Sequence, residues 1–218
     1  MKALIMTGGR SESLDRRLHR RKKPNLASLV LDMEGLGVDE ILITGGTGVK
    51  SALSDWFERE RGRFETPVTM RFHDTLHDPE KITSLLRVVR HECLEGSLVL
   101  LSPEECFPLD LESLGNAFRL HSRSPVIGVR RPSRRLAHAS ISIGERSRVI
   151  RFSSNGERLE NEWEPAGVYY FPEGFLSDGL PAFMKSSRVN RPAFESFLAW
   201  SVRNFKVYAH VFAAHLGL

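Results

Sequence analysis

Two short apolar runs, each closed by a pair of glycines, bracket one amphipathic segment, and that arrangement leaves few folds open. KALIM (residues 2–6) runs into TGG, and EILIT (40–44) runs into GGTG. Between them NLASLVLDMEGL (25–36) sets Leu26, Leu29, Val30, Met33 and Leu36 three and four residues apart, the spacing of one helix face. Asn25 is suited to cap that helix and Gly37 to end it. Strand, glycine turn, helix, strand is a βαβ unit, whose strands lie parallel with a right-handed crossover.

The alternation continues. Residues 48–59 read as a helix with Leu53, Trp56 and Phe57 on one face, 66–72 as a strand, and 79–93 as an amphipathic helix through Ile82, Leu85, Leu86 and Val89. SLVLL (97–101) is the most apolar strand, followed by a helix at 110–121 and a strand in PVIGVRR. ISIGERSRVIRF reads as a hairpin with its turn at GERS. AGVYYF (166–171) and VYAHVF (207–212) are strands, with a helix at 194–203 between them. No repeat, low-complexity linker or boundary interrupts the pattern. It predicts an α/β fold, a central mixed but mostly parallel sheet flanked by helices, as one domain over 1–218.

A chain of 218 residues can bury a sizeable core. No apolar run approaches the roughly 18 residues of a membrane span, and the run after Lys2 is too short for a signal peptide, so a cytoplasmic protein without membrane contact is expected. Cys93 and Cys106 have no metal-ligand or disulfide spacing and are expected to be small buried hydrophobes. His73, His77 and His91 likewise show no ligand spacing, and Trp56, Phe57, Trp163, Trp200 and Phe205 read as core or interface. The net charge of +4 is mild. Its position is the informative part: Arg10, Arg16, Arg17, Arg20, Arg21, Lys22 and Lys23 crowd the segment after the first glycine pair. Two readings stand for it. It is a phosphate-holding turn, since small residues let backbone N–H groups approach an anion at a helix start, or it is a solvated surface. The run holds no aromatic residue to stack on a base, which argues against nucleic acid. GGTGVK (45–50) lacks the spacing of a P-loop.

The order of elements, together with KALIMTGGRSESL, KPNLASLVLDMEGLGVDEILI, SLVLLSPEECFPLDLESLGNAF, RVIRF and AGVYYF, resembles the sugar-phosphate nucleotidyltransferases over nearly the whole chain. The opening GGRSESL is also similar to the turn of molybdenum-cofactor guanylyltransferases. The resemblance implies a Rossmann-like nucleotidyltransferase fold and transfer of a nucleoside monophosphate from a nucleoside triphosphate to a sugar 1-phosphate, with release of pyrophosphate. It puts Gly8, Gly9, Arg10 and Ser11 at the nucleotide phosphates, and Lys23 with Pro24 at the family's Lys-Pro. Arg16 and Arg17 are then candidates for the phosphate charge that a shortened loop otherwise lacks. The family's metal-binding Asp falls on Glu104 and its second Asp on His215; magnesium or manganese is implied for an active enzyme and no cofactor for an inactive one. Gly167 falls on the substrate-facing glycine of the N-A-G-I-Y strand.

Several family positions carry other residues here. Ser11 replaces the second turn glycine, Ser13 the turn arginine, and Pro103 the glycine before the metal position. Ser154, Asn155 and Gly156 stand at the E-K-P that contacts the sugar phosphate, and no glycine remains near Glu80 to Leu85, where a glycine turn faces base and sugar. Two functions follow from the resemblance. One is an active nucleotidyltransferase with altered ligands. The other is a catalytically degenerate member that binds a nucleotide or nucleotide-sugar, or pairs with a second copy or a partner protein, as a regulatory or structural subunit.

Overall fold

The alternation becomes a seven-stranded sheet in the computed structural model, which describes residues 1–7, 25–74, 82–102, 110–132, 139–154, 162–187 and 193–212. The elements, in chain order, are β1 (Lys2–Met6), α1 (Leu26–Gly35), β2 (Glu40–Gly46), α2 (Lys50–Glu60), β3 (Val68–His73), α3 (Ile82–His91), β4 (Leu98–Leu101) and α4 (Leu111–Leu120). There follow β5 (Val126–Arg130), β6 (Ser140–Ile143), β7 (Val149–Ser153), β8 (Glu164–Phe171), α5 (Phe175–Ser186), α6 (Phe194–Asn204) and β9 (Tyr208–Val211). The sheet order is β3-β2-β1-β4-β8-β5-β9. β1 pairs in parallel with β2 and β4, and β3 extends the parallel set. β8 alone runs the other way, between β4 and β5, and β9 pairs in parallel with β5. SLVLL is thus an interior strand beside KALIM, as its unbroken apolarity requires.

Alternate side chains of β1 serve two cores. Ala3 and Ile5 join Ile41, Ile43, Val99 and Leu101 beneath α1, α2 and α4, where Leu29, Val30, Met33, Leu53, Trp56 and Leu114 are buried. Leu4 and Met6 join Leu42, Leu98 and Leu100 under α3, α5 and α6, against Leu85, Val88, Leu180, Phe183 and Phe197. The period of two in a strand explains the division. α1 begins as the sequence indicates: the Asn25 side chain accepts from the Ser28 N–H at 2.9 Å. Gly37, at φ +73°, takes the left-handed turn that ends it.

Two features depart from the sequence pattern. α5 contains Gly179 and Pro181, so local propensity argues against it; burial of Leu176, Leu180 and Phe183 overrides that preference. Cys93, expected to be buried, is exposed. It stands at φ +45° just past α3, where the Leu94 N–H donates to the Val89 carbonyl at 3.1 Å. That is a Schellman closure with cysteine in the position glycine usually fills. Cys106 lies outside the described residues.

β6 and β7 form the expected antiparallel hairpin. One end is fastened to Trp163, which exchanges backbone hydrogen bonds with Ile141 at 2.8 and 2.9 Å. The other is held by the Val149 N–H donating to the Val207 carbonyl at 2.9 Å. The hairpin therefore lies across one face of the large sheet, with Ile141, Val149 and Phe152 in the core beneath α6. Among the described residues no helix is long and apolar enough to cross a membrane.

Candidate functional site

Open α/β sheets place ligands beyond the carboxyl ends of their parallel strands. Here that rim is formed by Thr7 after β1, Gly45 and Gly46 of β2, His73 of β3, Ser102 after β4, Arg130 of β5 and Phe212 after β9. The start of antiparallel β8, at Glu164, reaches the same end. Gly8, Gly9, Arg10, Ser11, Arg16, Arg17 and Lys23 follow β1, Glu104 follows β4 and His215 follows β9; all lie outside the described residues. The rim fixes where their segments depart. β1 and β4 are neighbours, so residues 8–24 and 103–109 leave from strand ends about 4.8 Å apart. β9 stands three places from β4, so the segment bearing His215 leaves about 14 Å from that bearing Glu104.

The exit of β1 is tied down twice. The Thr7 N–H donates to the Thr44 carbonyl at 2.8 Å, and the Thr7 hydroxyl donates to the same oxygen at 2.9 Å. The chain can approach β2 this closely because the next residue of β2 is Gly45. A Cβ there would stand 2.7 Å from Thr7 Oγ1, 2.9 Å from Val49 Cγ2 and 3.2 Å from Leu53 Cδ1. The second glycine pair, which lacks P-loop spacing, thus packs against the exit of β1. Among the described residues Thr44 Oγ1, buried at the same place, has no hydrogen-bond partner.

The exit of β4 is pinned to β8. The Ser102 N–H donates to the Gly167 carbonyl at 2.8 Å. Gly167, the expected substrate-facing residue, is buried at φ +75°, a conformation that only glycine takes without strain. It lies in a bulge: Gly128 of β5 faces the stretch of β8 between Pro165 and Tyr169, whose partners are Val129 and Ile127. Gly128 itself is closely covered, since a Cβ there would meet Phe212 Cε2 at 2.8 Å and the Val168 carbonyl at 3.1 Å. Bulges of this kind bend a strand and re-aim its neighbours beside binding sites. The structure therefore brings Gly167 to the point where the segment of Glu104 leaves the sheet.

Charged groups surround the rim in pairs that sequence spacing did not reveal. Arg130 Nε donates to Glu164 Oε1 at 2.7 Å, with Glu164 buried, and the Arg131 guanidinium lies 4.2 Å over the Trp163 ring. Glu92, after α3, takes the Arg71 Nε at 3.0 Å and stands 3.7 Å from His73 Nε2. The Asp110 side chain caps α4 by accepting from the Ser113 N–H at 3.1 Å. Buried His210 stands edge-on to Phe212, and its Nε2 has no hydrogen-bond partner among the described residues. Burial holds its pKa below the ordinary imidazole value, and Asp110 pulls it partly back up.

Among the described residues no group of three His, Cys, Asp or Glu side chains is placed to hold a metal ion. The described carboxylates of the rim are engaged, Glu164 with Arg130 and Asp110 with its helix. The expected metal residues, Glu104 and His215, lie outside the described residues, and oxygen-seeking magnesium fits a carboxylate far better than an imidazole.

No family model matches the chain, and no curated protein matches it by sequence. Among solved structures, the crystal structure of UDP-glucose pyrophosphorylase complexed with UDP-glucose is similar over 97% of this chain and 90% of that one, with a TM-score of 0.74 and 11% sequence identity. The likeness at that identity is one of fold: this chain has a Rossmann-like, nucleotidyltransferase-like α/β fold.

Proposed function

We propose that the carboxyl rim binds a nucleoside triphosphate or nucleotide-sugar, and that the chain transfers a nucleoside monophosphate to a sugar 1-phosphate with release of pyrophosphate. The observation that carries this reading is the fold likeness to a pyrophosphorylase along nearly the whole chain, joined to a glycine pair and seven cations directly after β1. In-line attack of a phosphate oxygen on the α-phosphorus needs little covalent help; it needs two anions held in line and their charge neutralised. In this reading Gly8, Gly9, Arg10 and Ser11 wrap the nucleotide phosphates. Arg16, Arg17 and Lys23 meet the departing pyrophosphate, Gly167 borders the sugar, and Glu104 with His215 holds magnesium or manganese.

The second reading, a degenerate subunit that binds without turnover, is favoured by Ser13, Asn155 and His215 standing where the family carries its functional side chains, and by Pro103 standing at the glycine before the metal position. Calorimetry separates the two. Magnesium with triphosphate should bind the wild type, and Glu104→Gln should abolish the metal dependence while leaving the melting temperature unchanged. Pyrophosphate release on adding sugar 1-phosphates then reports turnover. Nucleotide binding with no metal dependence and no pyrophosphate leaves the degenerate subunit. Absence of any triphosphate or nucleotide-sugar binding sinks the first reading and leaves the second only as a subunit that pairs with protein.

A further inference from the structure

A cleft of about 480 Å³ lies between β7 and α6, lined by residues 150–153 of the strand, by Ser154 just after it, and by Ala199, Val202 and Arg203 of the helix. The volume is ordinary for a small-molecule site. Successive residues of a strand point to opposite faces, so a cleft touched by five in a row must run along the strand's edge. Among the described residues no strand pairs along that edge beyond Val149.

The edge is locally reshaped. Pairing between β6 and β7 jumps from Ser142↔Arg151 to Ile143↔Val149, which leaves Ile150 as the extra residue of a bulge. In consequence Ile150 and Arg151, adjacent in sequence, are both exposed, with buried Val149 before them and buried Phe152 and Ser153 after. Ile150 is 62% exposed, yet its position is built in: a Cβ on Gly144 would stand 2.9 Å from Ile150 Cγ2. Bulges of this kind aim side chains where a regular strand cannot. Two guanidinium groups, Arg151 and Arg203, line the cleft, and among the described residues no carboxylate does. Arg203 sits in the last turn of α6 and has no acidic partner among the described residues. Two guanidiniums and two serines lining one cleft, next to one exposed branched apolar side chain, suit a phosphate monoester with an apolar substituent.

We propose that this cleft is a second binding site, for a phosphate-bearing small molecule whose phosphate meets Arg151 and Arg203 and whose apolar part covers Ile150. It goes beyond the rim reading, since no rim residue lines it. Its single link to that reading is Ser154, the first residue of the stretch that replaces the family's E-K-P.

Phenyl phosphate and inorganic phosphate are the probes, titrated by calorimetry on the whole chain. Phenyl phosphate should bind more tightly than inorganic phosphate, and Ile150→Ser should remove that preference. Arg151→Ala and Arg203→Ala should each weaken phenyl phosphate about tenfold, the usual worth of one charge-assisted hydrogen bond. Arg203→Lys should recover part of that loss, and all variants should melt with the wild type because the altered side chains are exposed. Equal affinity in the wild type and the Arg151→Ala/Arg203→Ala double variant overturns the proposal. So does competitive displacement of phenyl phosphate by a nucleoside triphosphate, which would make the cleft part of the rim site. Triphosphate binding that survives in the double variant shows that the rim reading stands or falls by itself.

Discussion

Gly45→Ala tests whether the approach to the candidate phosphate turn is as tightly built as the geometry says. The added methyl would meet Thr7 Oγ1 at 2.7 Å, Val49 Cγ2 at 2.9 Å and Leu53 Cδ1 at 3.2 Å. Val49 and Leu53 are both fully buried, so neither side chain can swing into solvent. Overpacking of a filled core costs about 1–3 kcal/mol, and two contacts inside 3 Å put this site at about 2–3. For a chain of this size, that lowers the melting temperature by about 4–10 °C.

A double-mutant cycle with Thr7→Ala gives the sharper result. Alone, Thr7→Ala removes the hydroxyl bond to the Thr44 carbonyl, which keeps its bond from the Thr7 N–H; the cost is about 1 kcal/mol. In the double variant the closest clash disappears with the hydroxyl, while those with Val49 and Leu53 remain. The two changes should therefore be less than additive by about 1 kcal/mol, measured by urea unfolding. The midpoint shift produced by triphosphate should shrink in Gly45→Ala and partly return in the double variant, because both residues set where β1 releases the chain. Additivity within about 0.4 kcal/mol would refute the claimed contact.

Three further outcomes are expected. Cys93→Gly should raise stability by about 1 kcal/mol in urea unfolding, because a left-handed residue at φ +45° closes α3 and glycine takes it without a Cβ penalty. Gly179→Ala should raise the melting temperature by about 2–4 °C, since its Cβ would rest in ordinary contact, 3.8 Å from the Phe197 ring, and remove a helix-interior glycine. His210 should make stability pH-dependent: its folded pKa is depressed by burial, so on acidification the unfolded chain takes up the proton first. Its contribution is complete above about pH 6.5 and is lost as the pH falls through the lower folded value. His210→Gln should flatten that part of a melting-temperature profile, with a smaller slope remaining from His121, also held down by burial.

The strands and most helices were legible because the sheet is covered on both faces. That demand writes unbroken apolar runs into β1, β2 and β4, and helical spacing into α1, α3 and α4, all within a few residues of one another. α5 escaped because Gly179 and Pro181 contradict it locally, while what holds it, Phe183 against Phe197 and Trp200, comes from a later helix. Cys93 escaped for a similar reason: its side chain is small and apolar, but its place is set by a backbone closure that composition does not encode. The lock between Thr7 and Thr44 and the pair Arg130–Glu164 join residues 37 and 34 positions apart, beyond any local pattern. The rim was legible as a place, since glycines at strand ends mark it, but not as a set of contacts.

Fold and chemistry make unequal demands on the sequence, which explains how 11% identity accompanies a TM-score of 0.74. A buried strand position accepts Val, Leu or Ile with small cost, so the core can change almost everywhere while keeping its pattern. A metal or phosphate position admits few substitutes, because an oxygen or a cation must stand within a fraction of an ångström of its target. In the proposed nucleotidyltransferase reading, Pro103 and Asn155 therefore weigh more than many apolar exchanges, and in sequence they follow strands whose own packing is intact. The two segments to which the proposed reading assigns phosphate and metal, 8–24 and 103–109, leave from neighbouring strand ends held by Thr44 and Gly167. A ligand bridging them would touch both at once. Changes in either segment should then act on the same binding event, whereas changes in the β7–α6 cleft should not.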